Sequence, residues 1–453
     1  MTGAAPVTAD EFARRMAAFA PFEPRPVVAA AVSGGPDSLA LTLLLADWAA
    51  ARGGQVLAIT VDHGLRPEAA AEARWVADVL AARGVAHRIA GWQGDRPDRV
   101  RQEHARAERY DRLREVCARE GVLHLALGHH RADRAETVLL RLKAQSGLDG
   151  LAGMAHQREL PDLRLIRPLL DLPKERLQAT LAARCVDWVD DPTNRNPDHL
   201  RVQLRGVMPQ LAADGLTLPR INALAGALGT ARRTIEDAQD ALLARAVVLH
   251  PAGFGWLDPV AFGAARPAVG DGALARLLLA VGGAIYPPRG GRLARLAGEL
   301  RAGLPATRTL GGCQLIPRKR GVLVVREWER AVPVTLHPGT RAVVDGRVEV
   351  ELSARAPGPA VVRPLGRAGW AALSARQPSL KSHALPGPVR PALLGVFDAR
   401  HTGRGGAAGL AAVPDLSQVS SMAAVWLADW RYAPRRALTG AGFTVAQDEA
   451  HTM

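Results

Sequence analysis

The apolar run Val27–Val32 ends directly on Ser33-Gly34-Gly35-Pro36-Asp37-Ser38, and a Leu- and Ala-rich stretch of helical spacing follows to about Ala51. A buried strand that turns on two glycines into a helix makes a seat for an anion. Glycine lets the backbone approach closely, the serines bring hydroxyls, and the helix adds its positive N-terminal dipole. The loop lacks the Gly-Lys-Ser/Thr ending of a Walker P-loop, so no lysine within it neutralises phosphate. Asp37 beside phosphate calls for a bridging Mg²⁺ ion. The plainer alternative is a Gly-Gly turn with Asp37 or Ser38 serving only as helix cap.

The same grammar repeats along the chain. Gln55–Val61, Val85–Ala90 and Val122–Leu127 read as further strands, separated by helical stretches at about 68–82 and 100–120 and followed by another at 132–144. Strands alternating with helices predict an α/β fold with a doubly wound parallel sheet, whose ligands bind at the carboxyl ends of the strands. After Pro209 the pattern becomes Ala/Leu helical, and beyond about residue 331 short apolar pieces alternate with Pro and Gly. The expected division is a catalytic domain over 1–212, a helical and basic region over 213–330 and a C-terminal α+β domain over 331–453.

The other candidate residues sit at strand ends or on basic helices. Asp62 and His63 close the second strand, on a rim where a base or ribose could rest. After the fourth strand come His129, Asp133 and Glu136; His129 and Asp133 share a face if the helix starts there, a pair suited to handling protons or contacting substrate. Arg106 and Arg109 lie on a basic helix. Arg201 and Arg205 share a helix face suited to phosphate contacts.

Charge points the same way. Of 453 residues 58 are Lys or Arg and 44 Asp or Glu, a net +14, and only four of the basic residues are lysines. Residues 289–320 hold eight basic residues, Arg318, Lys319 and Arg320 among them, against the single acid Glu299. Such a field favours a polyanionic partner, and with aromatics at 4% stacking is not its main grip. Cys117, Cys185 and Cys313 lie far apart, which excludes a disulfide framework and a cysteine-held zinc or iron–sulfur site. No run reads as a membrane span or a secretory leader, so the expected compartment is the cytoplasm.

Taken together the motifs resemble the N-type ATP pyrophosphatase (PP-loop) superfamily and, within it, the bacterial tRNA(Ile)-lysidine synthases. Ser33–Ser38 marks the superfamily. The narrower resemblance rests on Asp62-His63-Gly64-Leu65, Ala105-Arg106 with Arg109-Tyr110, His129-His130 with Asp133 and Glu136-Thr137, Ser146–Met154, and Asp191-Pro192-Thr193-Asn194 leading to Arg201, Arg205 and Pro209. It covers about residues 26–212, with a looser match at Leu310–Cys313. It implies a PP-loop, Rossmann-like catalytic domain and a ligase that forms a carbon–nitrogen bond. ATP adenylates C2 of the wobble cytidine of tRNA(Ile) with a CAU anticodon, and free L-lysine displaces AMP to give lysidine, switching codon reading from AUG to AUA. On that resemblance Ser33, Gly34, Gly35, Pro36, Asp37, Ser38, Asp62 and His63 bind ATP, and Mg²⁺ bridges Asp37 to its phosphates. Asp37, Asp133, Arg109 and His129 serve catalysis. Glu136, Arg106, Arg201, Arg205, Arg318, Lys319 and Arg320 hold the tRNA and lysine. The oligomeric state is left open, a homodimer included.

Two departures stand out. Where the family has two Asp and a Gln after the histidines, this chain reads Ala132, Asp133, Arg134; where it has a basic-Gly-Ser-Gly stretch, this chain reads Lys143-Ala144-Gln145-Ser146-Gly147. The competing expectations are a tRNA thiolation enzyme, a PP-loop ligase for small metabolites, and a non-catalytic tRNA binder. The first lacks its customary cysteine pair here, the second has no need of the basic region, and the third leaves the intact Ser33–Ser38 cradle unexplained.

Overall fold

The structure is a computed structural model and describes residues 3–62, 69–91, 102–160, 162–190, 200–381, 385–399, 410–412 and 428–432. Chain contacts divide it into two compact units, Met1–Arg233 and Thr234–Ala441.

The first unit runs α1 (Ala9–Ala17), β1 (Val27–Ala31), α2 (Pro36–Ala50), β2 (Gln55–Asp62), α3 (Ala69–Ala81), β3 (Ala86–Gly91), α4 (Gln102–Arg119) and β4 (His124–Leu127). It continues with α5 (Arg131–Lys143), α6 (Leu148–Leu151), β5 (Gln157–Glu159), β6 (Arg164–Ile166), α7 (Lys174–Ala182), α8 (Leu200–Ala213) and α9 (Leu218–Ala246), the boundary between units falling within α9. The six strands form one sheet in the order β3-β2-β1-β4-β6-β5. All neighbours are parallel except β5 with β6. The period-two alternation of β1 divides its side chains between two layers. Val28, Ala30 and Val32 pack with Leu39, Leu43 and Leu177 of α2 and α7 on one face. Ala29 and Ala31 pack with Leu113, Val116 and Cys117 of α4 on the other. Because β1 pairs with β2 on one side and β4 on the other, chain order reverses between β1 and β4, and the loops leaving these two strands meet at the carboxyl edge of the sheet. That crevice is where an open α/β sheet takes its ligand.

The four strands expected here are all present, and the sheet holds two more, the antiparallel edge strand β5 and the parallel strand β6. The strand β6 opens on Arg164, 1% exposed. Its guanidinium donates to His124 Nδ1 at 3.2 Å and to the Pro21 carbonyl at 2.8 Å, and lies over the Phe22 ring. Burial, with the Arg164 charge adding to it, pushes His124 down to about 4, so its ring accepts from Arg164 as a neutral imidazole.

The second unit has β7 (Val247–His250), β8 (Phe254–Leu257), α10 (Pro259–Gly263), α11 (Pro267–Gly282), α12 (Gly290–Arg301), β9 (Arg308–Leu310), β10 (Cys313–Arg318) and β11 (Gly321–Arg326). The five strands form an antiparallel sheet, β7-β8-β11-β10-β9. One face packs Leu257, Leu315 and Val324 against Leu274, Leu277 and Leu296 of α11 and α12. The other packs Phe254, Ile316 and Leu323 with Leu365 and Leu373. That shared core joins residues on both sides of 330, so the divisions expected at 212 and 330 fall within the two units. Smaller antiparallel strands, from β12 (Val334–Leu336) onward, complete the unit around a core of Val344, Val350, Val362 and Val396. Among the described residues no helix is long and apolar enough to cross a membrane.

Candidate active site

The cradle between β1 and α2 is held by its own backbone and by Ser38. Gly34 has φ +83°, and a Cβ there would stand 3.1 Å from Val76 Cγ2 and 3.3 Å from Val189 Cγ2. Its carbonyl accepts from the Val189 N–H at 2.9 Å. Gly35 is the N-cap of α2 and Pro36 its first residue, where proline gives up only an N–H that the helix leaves unpaired anyway. The Ser38 hydroxyl donates to the Gly35 carbonyl at 3.0 Å and accepts from the Ser33 N–H at 3.1 Å. Of the two hydroxyls expected to serve phosphate, Ser38 is therefore engaged in shaping the loop, and Ser33 is exposed at its mouth.

The loop after β4 closes against this cradle through Gly128, a residue the sequence reading passed over. A Cβ on Gly128 would lie 3.0 Å from both Cα and N of Ser38. Only glycine lets the two loops touch, and the contact brings the start of α5 to Asp37.

The histidine that faces the site is His130. It is the N-cap of α5; its Nδ1 accepts from the Ala132 N–H at 3.2 Å, while the Asp133 carboxylate accepts from the His130 N–H at 3.0 Å. With Nδ1 accepting, the ring proton of the neutral form sits on Nε2, which lies 3.7 Å from Asp37 Oδ2 and 3.6 Å from Asp133 Oδ2. His129, expected to share a helix face with Asp133, stands before the helix, and its Nδ1 accepts from Arg167 Nε at 3.3 Å. The helix begins two residues later than that pairing needs.

Asp37 is the least satisfied group here. Its Oδ1 is buried with no hydrogen-bond partner among the described residues. Lys174 Nζ, from the first turn of α7, lies 4.0 Å from Oδ2. Burial raises the Asp37 pKa above the ordinary aspartate value, and the charges of His130, Lys174 and Arg205 oppose that rise.

Glu136 is 2% exposed, yet it receives Arg205 Nε at 2.6 Å. Arg201 Nη1 lies 3.9 Å from Glu136 and 4.0 Å from Asp133. Both arginines do share a face of α8, as their spacing suggests, but that face turns to the acids of α5, whereas phosphate contacts were expected of it. Asp62 ends β2 half-buried at the same edge of the sheet, and Arg109 is half-buried on α4. His63, the side chain of Arg106 and the Asp191–Asn194 turn lie outside the described residues. In the second unit Arg318, Lys319 and Arg320 form the exposed tip of the β10–β11 hairpin. Arg301 and Arg308, from the same basic stretch, are paired with Asp271 and Glu299.

A family model described as the PP-loop domain matches residues 8–211. The tRNA(Ile)-lysidine synthase of Methylobacterium nodulans is 43% identical to this chain, over 70% of this chain and 95% of its own. The chain belongs to the tRNA(Ile)-lysidine synthase family. The enzyme of that name from Rhodopseudomonas palustris is 45% identical over 51% of this chain and 68% of its own, and that of Ruegeria pomeroyi 34% identical over 70% and 74%. Among tRNA(Ile)-lysidine synthases the present chain carries Ala132 and Arg134 at positions read as Asp and Gln in the family motif. Arg134 turns away from the cradle: 6% exposed, it donates to Asp171 Oδ1 at 3.0 Å, and Asp171 also meets His156 at 2.8 Å. The departure at 134 thus fastens α5 to the segment before α7 and leaves Asp37, Asp133 and Glu136 together.

Proposed function

We infer that this chain is a tRNA(Ile)-lysidine synthase, a ligase that uses ATP to join free L-lysine to C2 of the wobble cytidine in the CAU anticodon of tRNA(Ile). In a chain of this family, one observation carries the reading. The Gly34–Gly35 cradle and the acids Asp37, Asp133 and Glu136 meet where the loops of β1 and β4 come together.

In the first step the cytidine O2 attacks the α-phosphorus of ATP. The bond from that phosphorus to the bridging oxygen breaks, and its electron pair leaves with pyrophosphate. The backbone donors of the cradle face the charge that develops there. In the second step the lysine amine attacks C2, the C2–O bond breaks, AMP departs, and the amine proton passes to a carboxylate of the Asp37–Asp133 pair. The raised pKa of Asp37 makes its carboxylate a better proton acceptor than an ordinary aspartate. His130 Nε2 stands 3.7 Å from Asp37 and 3.6 Å from Asp133, between the two carboxylates. Glu136 is anchored beside them by its pair with Arg205.

Mg²⁺ fits the residues present. An unpartnered, buried carboxylate oxygen on Asp37 is the donor a hard cation takes when phosphate oxygens and water supply its other ligands. When bound there it would neutralise charge on the triphosphate. The exposed hairpin tip and α12 of the second unit carry the cations for tRNA phosphates, so tRNA affinity should fall steeply with salt.

The test is incubation with labelled lysine, ATP and bulk tRNA, followed by nucleoside analysis. Lysine incorporation that needs ATP and disappears in Asp37→Ala is the expected result. A tRNA-dependent product carrying sulfur, or no ATP cleavage at all, would overturn the reading.

A further inference from the structure

The cradle contains no lysine, although it is built to seat a departing diphosphate. We propose that Lys174, brought in from α7, supplies the missing cation and contacts the pyrophosphate as it leaves; this rests on the reading of the cradle as the ATP site.

Lys174 is held near Asp37 by bonds that do not use its ammonium group. The Arg131 N–H donates to the Leu172 carbonyl at 2.9 Å, and Arg131 Nε to the Asp171 carbonyl at 2.9 Å. Arg134 adds its ion pair to the Asp171 carboxylate at 3.0 Å. Leu177 and Leu181 bury the inner face of α7 in the core beside α2. The segment 171–174 is thereby fastened to the start of α5, and its first helical side chain reaches toward Asp37.

Three basic side chains lie around Asp37 in this structure: His130, Lys174 and Arg205. His130 is engaged by the α5 cap through Nδ1, and Arg205 by Glu136 at 2.6 Å. The Lys174 ammonium group makes no hydrogen bond among the described residues. Its Nζ stands 4.0 Å from Asp37, the outer limit of an ion pair, with its side chain 44% exposed. All three ammonium donors are thus available at the mouth of the cradle. A phosphate oxygen bound there would meet a compact positive charge, the role a lysine within the loop plays in Walker-type sites. As the bond between the α-phosphorus and the bridging oxygen breaks, the electron pair and negative charge move onto pyrophosphate. A cation contacting that group stabilises the transition state of adenylation and leaves the attack of lysine on C2 untouched.

The experiment compares the wild-type protein with Lys174→Met and Lys174→Arg. Calorimetry with inorganic pyrophosphate and Mg²⁺, and no RNA, reads the contact directly; wild type should bind, and Lys174→Met should bind at least tenfold more weakly. In turnover, Lys174→Met should lower the rate of tRNA-dependent pyrophosphate release tenfold or more, with the KM for lysine unchanged, and Lys174→Arg should recover part of the loss. Equal pyrophosphate affinity in wild type and Lys174→Met, or a defect confined to the KM for lysine, overturns the proposal. So does a wild-type protein that binds no pyrophosphate. The calorimetric arm stands even if no lysidine is formed, so failure of this proposal and failure of the functional reading remain distinguishable. A denaturant midpoint equal to wild type in Lys174→Met is the expected control, since this exposed side chain has no packing role; a large drop would mark Lys174 as structural and overturn its assignment to phosphate.

Discussion

Replacing Asp37 with alanine should make the free protein more stable while abolishing its chemistry. A buried acceptor left without a partner costs roughly 1–3 kcal/mol, and Asp37 Oδ1 is such an atom. Against that stand a carboxylate in the first turn of α2, worth about 0.3–1 kcal/mol, and a long contact to a half-exposed Lys174, worth about 0–1 kcal/mol. The difference favours Asp37→Ala by about 1 kcal/mol, from the same terms. The sign with pH follows from the raised pKa. The folded protein holds the Asp37 proton more tightly than the unfolded chain, so the penalty for ionising it is fully present above the folded pKa. It fades as pH falls toward the ordinary value of 3.8. Urea denaturation of both proteins, without nucleotide, at pH 7.5 and at successively lower pH reads this out. The stability gap should be widest at the upper end and should shrink on acidification. Lysidine formation should fall by about 10²-fold or more, the scale for losing a positioned acid–base or charge-holding group. An Asp37→Ala protein less stable than wild type at neutral pH, or a gap that widens on acidification, would show that the carboxylate is not held at a cost and that the site is not preformed.

Arg205→Ala leaves the carboxylate of Glu136, 2% exposed, without its 2.6 Å partner. Since Arg205 is half-exposed and Arg201 shares the site, a loss of about 2 kcal/mol in urea unfolding is expected, and much less in Glu136→Gln/Arg205→Ala, measured as a double-mutant cycle. Gly128→Ala drives a Cβ to 3.0 Å from the Ser38 backbone; it should cost about 1–3 kcal/mol by overpacking and slow ATP cleavage by displacing the cradle. Cys185, φ +51°, sits just past the end of α7, with the Val186 N–H bonded to the Leu181 carbonyl at 3.1 Å. Cys185→Gly relieves the left-handed strain and should stabilise the protein by about 0.5–1 kcal/mol, with activity unchanged. Replacing Arg318, Lys319 and Arg320 together with alanine should flatten the log–log salt dependence of tRNA binding by roughly 2 to 3, with ATP affinity intact; an unchanged slope would remove the hairpin from the RNA surface.

The β1–α2 junction was legible because its information is local. An apolar run, two glycines and a proline at the first helical position each fix backbone geometry within a few residues, so Ser33–Ser38 announced its place and its turn. The strand–helix alternation fixed the parallel sheet for the same reason: burial on both faces leaves a continuous apolar signature, as in Val27–Val32. The sixth strand lay hidden because Arg164 interrupts that signature, and only partners distant in the chain, His124, Phe22 and the Pro21 carbonyl, let a buried strand open on a guanidinium. The two adjacent histidines show the same limit. Spacing favoured His129 as the partner of Asp133, but the capping of α5 starts the helix at Arg131 and turns His130 to the carboxylates.

The sequence by itself determined the four parallel strands β1 to β4 and the strand–glycine–helix turn at Ser33–Ser38, because these depend on backbone preferences and burial patterns that short segments carry alone. Only the tertiary structure decided which charges oppose one another: Arg205 with Glu136, Arg134 with Asp171, Lys174 with Asp37. Coulomb and hydrogen-bond energies depend on separation in space, and these pairs are joined by loops and helices whose packing, not their spacing along the chain, sets that separation.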